Sequence, residues 1–433
     1  MNSLGIRHED KYAPERRTPL VPSDVRKLVN EHGIPVYVER SQKRIFTHAE
    51  FEDAGAGIVD DVSFCDIVLG VKEMPVGSFR PGMVCVYFSH VIKGQRQNMA
   101  MLRDIMESGA TLIDYERILD QNGNRLIFFG RYAGIAGMIN TLWSTGQRYE
   151  KLGKATPFST IKQASRYDSL EAAKEDIRRS GEAIASSGPG EGAGPLIFAV
   201  TGDGNVAQGA LEILDLLPVT ELAPGELRDL DRSRLDPGAI YKVNLIPADY
   251  MVHKKGKKFS LQDYIAFPDH YESRFEEFLP NINVLVNGIY WDERYPRLVT
   301  KKWLREKNQH LNVIGDITCD PDGSVECTVK ATEIEDPVFV YDPETDSHNM
   351  GFDGPGVTVM AVDILPSELP REASKQFSSL LSPWIPHLAA ADYDDSFADL
   401  NLPPELKGAV IVHKKKLTPD YGYLKAYLNQ VSG

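Results

Sequence analysis

The sequence predicts an α/β protein built on doubly wound parallel sheets. Three observations carry that prediction. Short apolar runs alternate with helix-like stretches from residue 2 to residue 116. A buried-strand pattern at Leu196–Val200 runs straight into a glycine turn and an apolar helix. At 433 residues the chain is long enough for two or three domains with cores of their own.

In order, Asn2–Arg7 reads as a short strand and Glu15–Pro22 (ERRTPLVP) as an irregular segment with two arginines. Ser23 is placed to cap a helix that Gly33 ends, and Thr47 to cap a second one. Strands are expected at Pro35–Glu39, Asp66–Val71, Met83–Phe88 and Thr111–Asp114, with a helix over Arg96–Ser108. GRYAGIAG, Gly130–Gly137, opens a long helix whose small residues imply close backbone packing. A helix over Ser169–Ser186 precedes the glycine-rich loop SSGPGEGAGP. Pro218–Leu222, Tyr241–Ile246, Asn281–Trp291, Leu311–Ile317 and Val357–Leu365 are the later strands, with a helix at Thr300–Lys307. The Pro-started helix after Leu365 is expected to return to the first domain.

Composition excludes several classes. A net charge of −14 with no basic arm argues against nucleic-acid binding. No apolar run approaches the length of a membrane span, and MNSLGIRHEDKYAPERR lacks the apolar region of a secretory signal. Cys65, Cys85, Cys319 and Cys327 form no CxxC pair, and the stretch DITCDPDGSVECT lacks the full calcium-loop pattern. A cytoplasmic enzyme without a metal site is expected.

The strongest motif is Leu196–Ala210, LIFAVTGDGNVAQGA. Gly202, Gly204 and Ala207 fit G-x-G-x-x-G/A. The first permits a tight turn, the second lets backbone approach a pyrophosphate, and the third lets helix and strand pack closely. The N–H groups at Asn205, Val206 and Ala207 open the helix, so its positive end faces the phosphates. The bland reading is a tight turn with no ligand. Glu221 lies at about the spacing where an acid meets the ribose hydroxyls of NAD, or is a helix-flanking charge. The four lysines of HKKGKKF suit a 2′-phosphate, or form a solvated loop. Asn287, Tyr290 and Asp320 fall at or beyond strand ends on the cofactor side, although a DPDG turn also uses aspartate for geometry alone.

Lys72, His90 and Glu116 each fall just past the carboxyl end of an expected strand, the edge where open α/β sheets bind ligands. Any one of them alone reads as an exposed loop charge. Arg131, at the entry of the long helix, is either an anion anchor or a surface arginine.

The order of motifs resembles the lysine-forming saccharopine dehydrogenase and lysine–ketoglutarate reductase group, within the wider alanine dehydrogenase and transhydrogenase family. The stretches that carry the resemblance are ERRTPLVP, GVKEMP, FSHVIKGQ, TLIDYERI, FGRYAGIAGM, TGDGNVAQGA, NGIYW, GDITCD and LPREAS. The resemblance implies two Rossmann-like domains with an interdomain cleft, residues 1–133 plus 366–433 for substrate and 134–365 for the dinucleotide. It implies that L-lysine and 2-oxoglutarate condense to an imine, which is reduced to saccharopine. NADP is the implied cofactor, with NAD as the alternative. By the same resemblance Lys72 and His90 are catalytic. Arg17 would hold a substrate carboxylate, with Arg16 the neighbour open to confusion with it. Glu73, Lys93, Glu116, Arg131 and Asp320 would surround the substrate. Groups that titrate near neutrality suit the proton transfers of imine formation. The resemblance is to the reductase half of a bifunctional enzyme; whether a separate glutamate-forming dehydrogenase is a partner is left open, as is oligomeric state. A sibling amino-acid or opine-type dehydrogenase is the first rival reading, and a non-catalytic homologue the second.

Overall fold

A computed structural model of the chain describes residues 1–308 and 310–430. The chain divides into two compact units, Met1–Phe129 with the segment from Pro370 onward, and Gly130–Leu369.

The first unit is built on eight strands. They are β1 (Leu4–Ile6), β2 (Val36–Glu39), β3 (Gly57–Val59), β4 (Ile67–Leu69), β5 (Val84–Tyr87), β6 (Thr111–Asp114), β17 (Val410–His413) and β18 (Lys416–Leu417). Their order is β3-β2-β1-β4-β5-β6-β17-β18. The first six are parallel, and β17 closes the edge antiparallel to β6. This is the doubly wound order, in which connections reverse beside β1 and open a crevice at the strands' carboxyl ends. Strands β4, β5 and β6 are buried at every position, so they read as continuous apolar runs. Thr47 caps its helix with a full capping box to Glu50. Ser23 does not cap: Val21 is the cap residue and Pro22 the first helical one, because proline needs no N–H partner there. The helix Pro370–Leu381 joins this unit's core, where Phe377 stacks on Phe129 with ring centroids 4.3 Å apart.

The second unit holds β7 (Leu196–Thr201), β8 (Val219–Glu221), β9 (Ile240–Leu245), β10 (Met251–His253), β11 (Tyr271–Ser273), β12 (Val284–Asn287), β13 (Val313–Asp316), β14 (Val338–Asp342), β15 (Ser347–Met350) and β16 (Val357–Met360). Its large sheet runs β8-β9-β7-β12-β13-β16-β14-β15, and β10 pairs only with β11. The hairpin β14–β15 went unread in the sequence, as β15 is exposed along its length. The expected strand Asn281–Trp291 shortens to Val284–Asn287, because Leu279–Asn281 coil into a turn before it. The second expected strand exists as β8, but β9 takes the place beside β7. Four of the six β9 side chains are buried, whereas β8 exposes Thr220 and Glu221.

The long helix Gly130–Lys151 crosses the helix Asn205–Leu214 at van der Waals contact of the backbones. A Cβ on Gly134 would lie 1.9 Å from the Val206 carbonyl oxygen, and one on Gly209 would lie 2.1 Å from that of Arg131. That is the close packing the small residues of GRYAGIAG imply. Among the described residues no helix is long and apolar enough to cross a membrane.

Glu368 lies buried beneath the long helix, where it accepts hydrogen bonds from Asn140 Nδ2 at 2.7 Å and Ser165 N at 2.9 Å. Burial outweighs these bonds and pushes its carboxyl from 4.5 up to about 7. A raised carboxyl favours the fold when protonated. Its contribution is therefore complete below about pH 4.5 and is lost as pH rises through about 7. Melting temperatures of the wild type minus those of Glu368→Gln should fall as pH rises across that window. A pH-independent difference would contradict the raised carboxyl.

Candidate active site

In the first unit the groups of interest follow the carboxyl ends of β1, β4, β5 and β6. Glu73 is the centre. It is 7% exposed, and its Oε1 lies 2.7 Å from His90 Nδ1 and 2.6 Å from Lys11 Nζ. Burial alone would raise the Glu73 carboxyl. The hydrogen bond and charge of His90, joined by Lys11, outweigh burial and bring it down to about 2. An ionised Glu73 can only accept, so the neutral His90 ring carries its proton on Nδ1 and presents Nε2 as a base.

The backbone is held for this. His90 has φ of 48°, a left-handed conformation rare outside glycine. Asn98 Nδ2 donates to the His90 carbonyl at 3.0 Å, and the His90 ring stacks on Phe88. Ser89 donates through both its N–H and its hydroxyl to Asp114, whose other oxygen accepts the Glu116 N–H. Asp114 is fully buried, and burial raises its carboxyl. This carboxylate ties the loop after β5 to the loop after β6.

Lys72 is half-buried, with its ammonium 5.4 Å from the Tyr12 ring centre. Its backbone N–H donates to Glu9 Oε2 at 3.0 Å, and that of Val71 donates to Glu9 Oε1 at 2.7 Å. One buried carboxylate thus grips the two amides that set the start of the Lys72 side chain. Arg17 is 5% exposed and lies over the Phe129 ring at 4.3 Å. Glu15 takes its Nε at 2.8 Å and its Nη2 at 2.5 Å. Burial pushes the Glu15 carboxyl up, but Arg17, with help from Lys72, holds it below its ordinary value. Arg16 donates to the Lys43 carbonyl instead and is no part of this group. Lys93 is exposed on the loop after His90, and Glu116 is ion-paired with Arg125.

The second unit builds the glycine turn. Gly202 has φ of 92°, which admits the tight bend. Gly204 precedes the helix with no side-chain cap, and a Cβ there would meet only open space. Asn244 on β9 braces the turn from beneath, donating to the Gly202 carbonyl at 2.7 Å and the Val200 carbonyl at 3.2 Å. The ten-residue helix with its uncapped first turn and open approach fits a dinucleotide pyrophosphate.

Two sequence expectations change here. Asn287 is fully buried. It accepts from Thr201 Oγ1 at 3.0 Å and donates to Asp316 at 2.8 Å, so it ties three strand ends together and offers no group to a ligand. Glu221 pairs across from Lys242, which is level with Phe198 in mid-strand, so it does not reach the carboxyl edge. Asp249, just beyond β9, is the acid that follows the strand beside β7. Arg131 is half exposed and shares the Glu212 carboxylate with Lys174. Tyr290 is 62% exposed, and its hydroxyl donates to Asp292. Asp320 is exposed, and its carbonyl closes the turn to Gly323.

His253, Asp263 and His270 bring ligand-type atoms within 4.8 Å of one another. The trio does not suit a cation. The Lys255 N–H donates to His253 Nδ1, which leaves the proton of the neutral ring on Nε2, the atom that faces Asp263.

Residues 5–136 match the family described as alanine dehydrogenase/PNT, N-terminal domain. Beyond residues 5–136, the whole chain has relatives. It is 40% identical over 97% of its length to alpha-aminoadipic semialdehyde synthase of Arabidopsis thaliana, covering 41% of that protein. It is 32% identical over 98% of its length to the mitochondrial alpha-aminoadipic semialdehyde synthase of Mus musculus, covering 47% of it. The chain therefore spans about half the length of these relatives. It is also 28% identical over 91% of its length to saccharopine dehydrogenase (NAD(+), L-lysine-forming) of Neurospora crassa, covering 92% of that enzyme. Among solved structures an L-alanine dehydrogenase matches with a TM-score of 0.63 at 19% identity, over 98% of this chain and 99% of that one. A transhydrogenase from Sinorhizobium meliloti matches with a TM-score of 0.58 at 15% identity, over 96% of this chain and 99% of that one. Both share its fold.

Glu9, Lys11, Glu15, Asn98 and Asn244 were not singled out in the sequence. The first three had a signal, a dense run of charge in RHEDKYAPE directly after a central strand. Asn98 and Asn244 had none, since each acts on a carbonyl of another segment. Gly204→Val should fold with an unchanged melting temperature, because the space around that Cβ is open. It should weaken NADPH or NADH binding at least about a hundredfold by blocking the backbone's approach to phosphate. Unchanged dinucleotide affinity, read by fluorescence titration, would contradict the cradle.

Proposed function

We propose that the protein reductively condenses L-lysine with 2-oxoglutarate to saccharopine, reversibly, with a nicotinamide dinucleotide as reductant. The observation that carries this is His90 oriented by Glu73, the residue that follows Lys72, in a chain that aligns along 91% of its length with a lysine-forming saccharopine dehydrogenase.

The chemistry follows from the atoms. The ε-amine of lysine must lose a proton before it attacks the 2-oxo carbon, and His90 Nε2 is the base that takes it. The resulting carbinolamine loses water once its hydroxyl is protonated, and the Lys72 ammonium is the donor. Glu73 keeps the imidazole in the productive tautomer and stabilises the imidazolium when it forms. Arg17 meets a substrate carboxylate through Nη1, because Glu15 occupies its other edge. Lys93 and Glu116 complete the polar surroundings of the substrates. Gly202, Gly204 and the amides from Asn205 to Ala207 would hold the pyrophosphate of a bound nicotinamide dinucleotide, which would supply hydride.

NADPH is the preferred reductant in this reading. Lys254, Lys255, Lys257 and Lys258 follow β10, the short strand after β9, and suit a 2′-phosphate. Asp249, in the short helix Pro247–Tyr250 after β9, favours the second reading, NADH. The four cysteines are free, in keeping with the reducing cytoplasm.

Absorbance of the reduced nicotinamide decides the matter. With L-lysine and 2-oxoglutarate both present, NADPH should be oxidised faster than NADH, and omission of either substrate should stop it. His90→Ala and Lys72→Ala should each lower kcat at least about a hundredfold. Near-normal turnover in both variants would remove the pair from the mechanism. Oxidation with a different amino acid and none with lysine would point to a sibling dehydrogenase.

A further inference from the structure

The segment that follows β18 coils through Pro419–Leu424 and Lys425–Gln430. It is anchored from below. Leu424 is fully buried, and Tyr421 is 2% exposed. The Tyr421 hydroxyl donates to the Gly408 carbonyl at 2.7 Å and accepts from Arg117 Nε at 3.0 Å. Arg103 Nη2 donates to the Leu428 carbonyl at 2.6 Å.

From that base two tyrosines reach the loop after His90. The Tyr423 hydroxyl donates to the Ile92 carbonyl at 2.7 Å. The Tyr427 ring lies flush on Gly94, where a Cβ would fall 2.3 to 2.5 Å from three ring atoms. Gly94 has φ of 68°, so both its conformation and its missing side chain suit the place. Tyr423 and Tyr427 are four residues apart and partly exposed, so a core role does not account for them. Lys93 sits between the two pinned residues. On the other side Asn98 holds the His90 carbonyl. The loop is thereby held by Asn98 on its own connection and by two tyrosines more than three hundred residues away.

We propose that Tyr423 and Tyr427 are positioning residues that clamp residues 91–95, and so set where Lys93 and His90 stand for the reaction. The consequence for turnover rests on the function proposed above; the clamp itself does not. Neither tyrosine touches substrate in this account. Each acts through the loop backbone.

The test uses the full chain with Tyr423→Phe, Tyr427→Ala, Tyr427→Phe and the pair Tyr423→Phe/Tyr427→Ala. Amide hydrogen exchange of residues 91–95 is read in the free protein, beside melting temperature and steady-state kinetics. The double variant should exchange these amides about tenfold faster while exchange in the sheet stays unchanged. Its kcat/KM should fall about tenfold, mostly through KM for the substrate that Lys93 meets. Tyr427→Phe should behave as wild type, because the ring and not the hydroxyl covers Gly94. Unchanged exchange at 91–95 in the double variant would overturn the clamp. Faster exchange with unchanged kinetics would overturn its role in positioning. A wild type inactive on lysine and 2-oxoglutarate would sink the proposed reaction, while the exchange result would still decide the clamp.

Discussion

The first unit turns on one buried carboxylate. Glu73 sits with His90 and Lys11 on a single oxygen, and their positive ends overcome the cost of its burial. Removing either partner would leave the buried Glu73 carboxylate with only one of its two cationic neighbours. The surrounding contacts can be understood as keeping that geometry. Glu9 fixes the two amides before Glu73, Asn98 holds the strained His90 backbone, and Asp114 ties the neighbouring loops. All these residues lie at the carboxyl edge of parallel strands, where chain reversals beside β1 bring separate loops together.

The second unit solves a different problem, which is to expose backbone without unfolding it. The glycine turn gives up side chains so that its amides can meet phosphate. Rigidity is supplied from behind. The Thr201–Asn287–Asp316 chain joins three strand ends, Asn244 holds the turn's carbonyls, and the long helix packs on the turn's helix with no side chain between them at Gly134 and Gly209. Burial raises the Asp316 carboxyl, and bonds from Thr328, Thr318 and Asn287 oppose that rise. Buried polar groups of this kind hold shape only when their hydrogen bonds are met.

Much of this was legible in the sequence, for reasons that differ by residue. Parallel strands buried on both faces leave apolar runs, so β4 to β7 could be read directly. Thr47 followed by Glu50 announced its cap. Lys72, His90 and Glu116 were visible because each follows such a run. The misread residues share a cause, since their roles depend on strand order. Glu221 has the right spacing for a ribose contact, but spacing assumes that the next strand in sequence is the next in space, and β9 intervenes. Asn287 looked like a ligand contact because it ends a strand, yet its neighbours on both sides consume its amide. Tyr423 and Tyr427 carry no local sign of their contact with a loop more than three hundred residues away.

The orientation of the His90 ring is the point on which the catalytic account rests. Nitrogen-15 NMR of the histidine ring at neutral pH reports it directly, and ring signals lost in Glu73→Gln and in His90→Gln make the assignment. The geometry predicts that the neutral ring carries its proton on Nδ1, toward Glu73, and leaves Nε2 unprotonated. It also predicts that Glu73→Gln erodes this preference. A wild-type ring protonated on Nε2 would contradict the account, because the nitrogen that must take the lysine proton would already hold one.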